Sequence, residues 1–281
     1  METIILPTDF SPAATNAMNY AVDMAMELNA SLLLFHVYQI PVSYNNNTDE
    51  VMPLPVIDIN ELEKINKDRL SSLKEEIEHI TSGKIKIFTQ LKLGVLVNEL
   101  EELCETVKPF AVVMGNKGAG LIERLLVGSS ALSAIKQLHW PVLIVPSGAT
   151  FKGLHKIGYT CDFKNVSDTT PIQILKEWTK AFNAELEILN VNYNKNNADE
   201  KSREQEEILR SVLGEINPKF FFINNQDVEK GVHEFAESNN VDLLIVVPRR
   251  HNLLESLFQK SHSKELVFHS HIPILSVHRK E

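Results

Sequence analysis

Apolar runs at residues 3–7, 31–37, 85–91, 110–114 and 142–146 lack polar alternation, which is how strands buried on both faces of a parallel sheet read. Between them the pattern changes to a helical period. Pro12 to Leu28 follows Ser11, an N-cap residue, with Pro12 at the first helical position. Asp58 to Ile80 sets Ile59, Leu62, Leu73, Ile77 and Ile80 on one apolar stripe, and Leu96 to Val107 forms a further helix. Strands alternating with helices predict a doubly wound α/β domain. Pro41 to Pro55, with Asn45, Asn46 and Asn47 in a row, follows neither period and is expected to be a surface connection.

The pattern is written twice. Thr3 to Phe10 returns as Lys156 to Phe163, and Asn29 to Val37 returns as Asn183 to Val191. Lys108 to Met114 matches Val241 to Val247, and His139 to Val145 matches His271 to Val277, in the same order. Such self-similarity predicts two tandem domains, 1–148 and 153–281, joined through the polar, glycine-bearing stretch Ser147 to Gly153.

The chain has 281 residues, 43% hydrophobic and 23% charged, enough for two packed cores. Its net charge of -9 lacks the basic face that nucleic acid or anionic lipid requires, so neither partner is expected. Cys104 and Cys161 lie far apart, with no metal or redox spacing, and no apolar stretch reaches spanning length or forms a signal peptide. A cytoplasmic protein is expected.

In an open parallel sheet, ligands sit outside the carboxyl ends of the strands. After the first run comes Pro7-Thr8-Asp9, and after the second His36-Val37. After the fourth comes Gly115-Asn116-Lys117-Gly118-Ala119-Gly120, with Gly128-Ser129-Ser130 opening another helix that runs to about Leu138. Glycines let backbone N–H groups approach a phosphate closely, and a helix N-terminus adds unpaired N–H groups and the positive dipole end. Lys117 supplies a point charge. Asp9 also fits a plainer role as a turn and cap residue, since Asp162 occupies the same place in the second copy.

Gly115-x2-Gly118-x9-Gly128-Ser129, with Pro7-Thr8-Asp9 and His36-Val37, resembles the ATP-binding signature of the universal stress protein family, and the likeness covers nearly the whole chain as two fused domains. The resemblance implies a five-stranded parallel sheet of order 3-2-1-4-5 in each domain, with ATP, with or without Mg²⁺, across the strand ends. It places Pro7, Thr8, Asp9 and Val37 on the adenosine side. Gly115, Asn116, Lys117, Gly118, Gly128, Ser129 and Ser130 fall on the phosphate side. The family often has arginine where this chain has Lys117. It also implies that the fused halves replace a homodimer, with the fifth strands, Pro141 to Val145 and Pro273 to Val277, near the contact. A further dimer of fused chains is compatible with it.

The second copy reads Pro248-Arg249-Arg250-His251 in place of Gly115 to Gly118, and Lys260-Ser261 in place of Gly128-Ser129, so a nucleotide is expected in the first domain only. His262, His269, His271 and His278 crowd the C-terminal part without a metal-ligand spacing. No catalytic constellation is legible, and at most slow ATP hydrolysis is expected. The sequence thus predicts an ATP-binding regulatory protein of the stress response. The alternative is an interaction scaffold in which the glycines are structural.

Overall fold

The computed structural model describes residues 2–40, 58–116, 128–191, 200–247 and 272–278, apart from the side chains of residues 200–202 and 229. The first half runs β1 (Thr3–Pro7), α1 (Pro12–Leu28), β2 (Ser31–Tyr38), α2 (Ile59–Ile80), β3 (Ile87–Leu93), α3 (Leu96–Val107), β4 (Ala111–Gly115), α4 (Ser129–Gln137) and β5 (Val142–Val145). The second runs β6 (Lys156–Thr160), α5 (Val166–Thr169), α6 (Ile172–Ala181), β7 (Glu185–Val191), α7 (Glu200–Val212), β8 (Lys219–Ile223), α8 (Val228–Ser238), β9 (Leu243–Val246) and β10 (Ile274–Ser276).

All ten strands join one sheet, ordered β3-β2-β1-β4-β5-β10-β9-β6-β7-β8. Each half therefore has the 3-2-1-4-5 order, parallel throughout, and the halves meet through an antiparallel pair, β5 with β10. Leu143 faces Leu275, its repeat equivalent, while Ile144 faces Ile274 and Val142 faces Ser276. Equivalent residues opposite one another are the mark of a local two-fold axis.

Alternate residues of each strand feed opposite layers, as the two-residue strand period requires. Ile4, Leu6, Leu32, Leu186 and Leu275 lie under α1, α2, α6 and α7, whereas Ile5, Phe35, Val112, Leu244 and Ile274 lie under α3, α4 and α8. Both layers cross the seam. On the first face Phe110 stacks on fully buried Trp178 at 4.6 Å between ring centroids, and Phe151 of the connection sits between Tyr20 and Phe182. Burial and the charges of Asp242 and Glu27 push the Tyr20 hydroxyl's pKa up, so it stays neutral.

Repeated local devices explain why both copies fold alike. Asn29 and Asn183 both take the left-handed conformation at φ 50°, ending the helix before the second strand of their half. Phe10 and Phe163 are left-handed too, at φ 61° and 52°.

Three expectations are corrected. The third run lies two residues later, as Ile87–Leu93, and is not buried on both faces: it is the sheet's edge, with Phe88 52% exposed. The buried stripe of α2 is Asn66, Leu70 and Ile77, while Ile59 and Ile80 face solvent; Asn66 is tolerated because its amide donates to the Leu62 carbonyl at 3.0 Å. The fourth-strand match slips by one residue. Phe110 N donates to Thr3 O as Asp242 N donates to Lys156 O, and Ala111 pairs with Ile4 as Leu243 pairs with Ile157. Gly115 is therefore equivalent to Val247, and Asn116 to Pro248.

Candidate functional site

β1 ends in a turn that its own side chains hold shut. Thr8 N donates to Phe35 O at 2.8 Å, and His36 Nδ1 lies 2.6 Å from Thr8 O. A carbonyl only accepts, so Nδ1 carries the proton. Thr8 Oγ1 accepts from Phe10 N at 3.0 Å, Asp9 Oδ1 from Ser11 N at 3.0 Å, and Ser11 Oγ from Ala14 N at 3.2 Å, which caps α1.

The second copy repeats this turn with other atoms. Cys161 Sγ accepts from Phe163 N at 3.4 Å, Asp162 Oδ1 from Lys164 N at 3.0 Å, and Asn190 Nδ2 donates to Cys161 O at 2.8 Å. The Asp-Phe pair is thus architectural in both halves. Cys161 is part of this turn, and the other thiol, Cys104, is buried, with its pKa pushed up to about 12 by burial and by Glu101 and Glu105.

A cavity of about 290 Å³ opens at the carboxyl ends of β1, β2 and β4. Pro7, Thr8 and Asp9 form one wall, Val37 and Gln39 a second, and Met114 and Gly115 a third. Gly128, Ser129, Ser130 and Ala131 bring the start of α4 to its edge, and Gly94 and Leu96 close the side toward β3. Pro7, Thr8, Asp9, Val37, Gly115, Gly128, Ser129 and Ser130, all expected from the sequence, converge here. Asn116 stands just outside: its Oδ1 accepts from Ser147 Oγ at 3.1 Å, its N donates to Val145 O, and its carbonyl accepts from Gly128 N. Lys117 and Gly118 lie outside the described residues, as does the 248–271 stretch of the second half.

The sequence reading missed Ser11, Ala14, Gln39, Gly94, Leu96, Met114 and Ala131. Gly94 and Leu96 follow the end of β3, so the strand-end rule finds them once that strand is placed correctly.

The start of α4 differs from that of α1. Gly128 is its N-cap and, among the described residues, no side chain caps it, which leaves the first-turn amides without a described side-chain acceptor. The Ser129 and Ser130 hydroxyls lie beside them, and Asp9 is the only charged side chain among the described lining residues. The wall at α4 is thus electropositive through its backbone, with carboxylate and apolar surfaces opposite.

Gly115 has a second reason to be glycine. A Cβ there would meet the carbonyl oxygen of Ala13 and lie 2.8 Å from its carbon, because the first turn of α1 packs directly on the strand end. This glycine is needed before any ligand arrives.

No helix among the described residues is long and apolar enough to cross a membrane. Residues 1–146 match the model of the universal stress protein family. Over 144 residues, half of this chain, the sequence is 33% identical to a universal stress protein of Methanocaldococcus jannaschii, of which it covers 80%. The fold extends over the whole chain in the structure of a universal stress protein from Archaeoglobus fulgidus, which has a TM-score of 0.72 and 19% identity, with 99% of this chain and 98% of that one covered. A protein of unknown function from Pseudomonas aeruginosa shares the fold at a TM-score of 0.59 and 9% identity, with coverage of 99% and 92%. The strand order and the sequence match over the first half agree: this chain belongs to the universal stress protein family.

Proposed function

We propose that this protein is an ATP-binding regulator of the stress response that holds its nucleotide in the cavity of the first half alone. The observation that carries the reading is the junction of a helix start that no described side chain caps, Gly128 to Ser130, with the apolar and carboxylate-bearing ends of β1, β2 and β4. Phosphates suit the α4 amides and the two serine hydroxyls. Asp9 is an acceptor and repels phosphate, so it suits ribose hydroxyls or an amino group, while Val37, Leu96 and Met114 offer apolar surface to a base.

The cavity lies at the small end of the roughly 300–1,000 Å³ that ligand sites span, so its described walls enclose part of a nucleotide. The described walls offer Mg²⁺ one carboxylate, Asp9, so the ion would ride chiefly on the phosphates. The proposed domains are 1–148 and 153–281, with the second retained for pairing.

To test the reading, purified protein is denatured and the supernatant chromatographed for adenine nucleotide. The stripped protein is then titrated calorimetrically with ATP, with and without Mg²⁺. Eluted nucleotide or a saturable one-site heat supports it. No nucleotide and no saturable heat up to about millimolar ATP, corresponding to binding weaker than about -4 kcal/mol, refutes it.

A further inference from the structure

The helix that faces the cavity is held at its other end by the second half. α4 has nine residues and spans about 13 Å. Its first turn lines the cavity; in its last turn the carbonyl of Ile135, an acceptor that the end of a helix leaves without an intrahelical partner, accepts from His278 Nε2. His278 is fixed by the second half's sheet, since Val277 N donates to Val246 O at 3.0 Å and Ser276 pairs with Val142 across the seam. The ring of His139 lies 6.3 Å from that of His278, and its Nδ1 is 2.9 Å from Glu101 Oε1 on α3, so α3, α4 and β10 meet at this corner.

We infer that His278 is a positioning residue for the first-half site, acting through α4: the second half tunes ATP affinity by gripping the carbonyl end of the helix whose amide end receives the phosphates. The inference rests on the nucleotide reading above. A helix of this length is marginal by itself; packing of Ala131, Ala134 and Ile135 holds its buried face, and contacts at its ends bias how fully its terminal turns are formed. His278 and a bound anion stabilise the same helical state from opposite ends, and two groups that favour one state favour each other. The coupling is reciprocal, so ATP must also tighten the carbonyl end.

The test uses the full chain as wild type, His278→Ala and His278→Gln, the last keeping an N–H donor near the position of Nε2. ATP affinity is measured by calorimetry and α4 amide exchange is followed with and without ATP. H278A should bind ATP roughly three- to tenfold more weakly, the range set by a single helix-end contact, and H278Q should recover most of the loss. In the wild type, ATP should slow exchange at Lys136 to Leu138 as well as in the first turn. Equal affinity in all three proteins overturns the grip and leaves the nucleotide reading standing. Equal weakness of H278Q and H278A overturns the role of the donor. If H278A does not fold, wild-type exchange decides: no slowing at Lys136 to Leu138 on ATP binding overturns the proposal. A wild type that binds no ATP overturns the nucleotide reading together with this one.

Discussion

Gly115→Ala separates a glycine needed for packing from one needed for a ligand, because the two roles predict opposite signs. Gly115 is not among the positive-φ residues, so its backbone conformation is open to alanine. Where space allows, Gly→Ala stabilises by about 0.4–1 kcal/mol through the unfolded chain's lost entropy. Here the new Cβ meets the backbone carbonyl of Ala13, including its carbon at 2.8 Å, and a backbone atom in the first turn of α1 cannot swing aside. The turn must move, taking with it the Ser11 cap and the Asp9 turn. Overpacking of this kind costs about 1–3 kcal/mol, more than the entropic gain. Thermal unfolding without nucleotide should therefore show a melting temperature lower by a few degrees, with roughly 2–4 °C per kcal/mol for large domains. A melting temperature that rises while ATP binding is lost would refute the packing argument and assign Gly115 to the ligand.

Trp178→Ala empties the seam behind Phe110 and should cost about 3–5 kcal/mol; because one core crosses both halves, urea unfolding followed by circular dichroism should still show one transition at a lower midpoint. Glu187 is 2% exposed on β7, and its carboxyl pKa is raised, first by burial and then by Glu185, against the opposing charges of Lys156 and Lys219. A raised folded-state pKa means that the stability its protonated form contributes is complete below the unfolded value and lost as pH rises through the folded one. Glu187→Gln should therefore gain on the wild type as pH climbs from acid toward neutral, measured by melting temperature against pH; a constant difference refutes it. Glu185, held low first by Lys219 and also by its contact with Glu187, has the opposite dependence. Asp9→Ala and Asp162→Ala each remove an acceptor for one backbone N–H and should each cost about 1 kcal/mol, whereas only the first should alter an ATP titration.

What was legible in the sequence follows from what each pattern physically encodes. The duplication is readable because asparagine at a left-handed helix end and aspartate at a strand-end turn are demanded by backbone geometry, which both halves share. Five of the cavity's lining residues, Pro7, Thr8, Asp9, Val37 and Gly115, were legible because parallel strands deliver their C-terminal neighbours to one edge, and Gly128, Ser129 and Ser130 were legible as a helix start. The fourth-strand register was not, because a uniformly apolar run such as Val241 to Val247 looks alike when shifted by one; the Asp242 N to Lys156 O bond decides it. The same weakness put the third strand two residues early, which hid Gly94 and Leu96 from the strand-end rule. The aromatic seam was invisible, since Phe110 and Trp178 look like ordinary core residues until the sheets are joined.

The corrected register changes what the asymmetry of the halves means. In the first, α1 starts at Pro12 and its first turn presses on the end of β4, which only glycine permits. In the second, the corresponding helix is broken: α5 ends at Thr169, Thr170 is extended before Pro171, and α6 starts at Ile172. An extended residue before proline is what the proline ring imposes. Val247 stands where Gly115 stood and packs against the core. Glycine and continuous helix belong together, as do valine and broken helix, so the halves already differ in main-chain packing at the strand end. The stack of Phe110 on Trp178 lies at the other end of β4, which lets the second half diverge at the strand end while remaining the first half's partner.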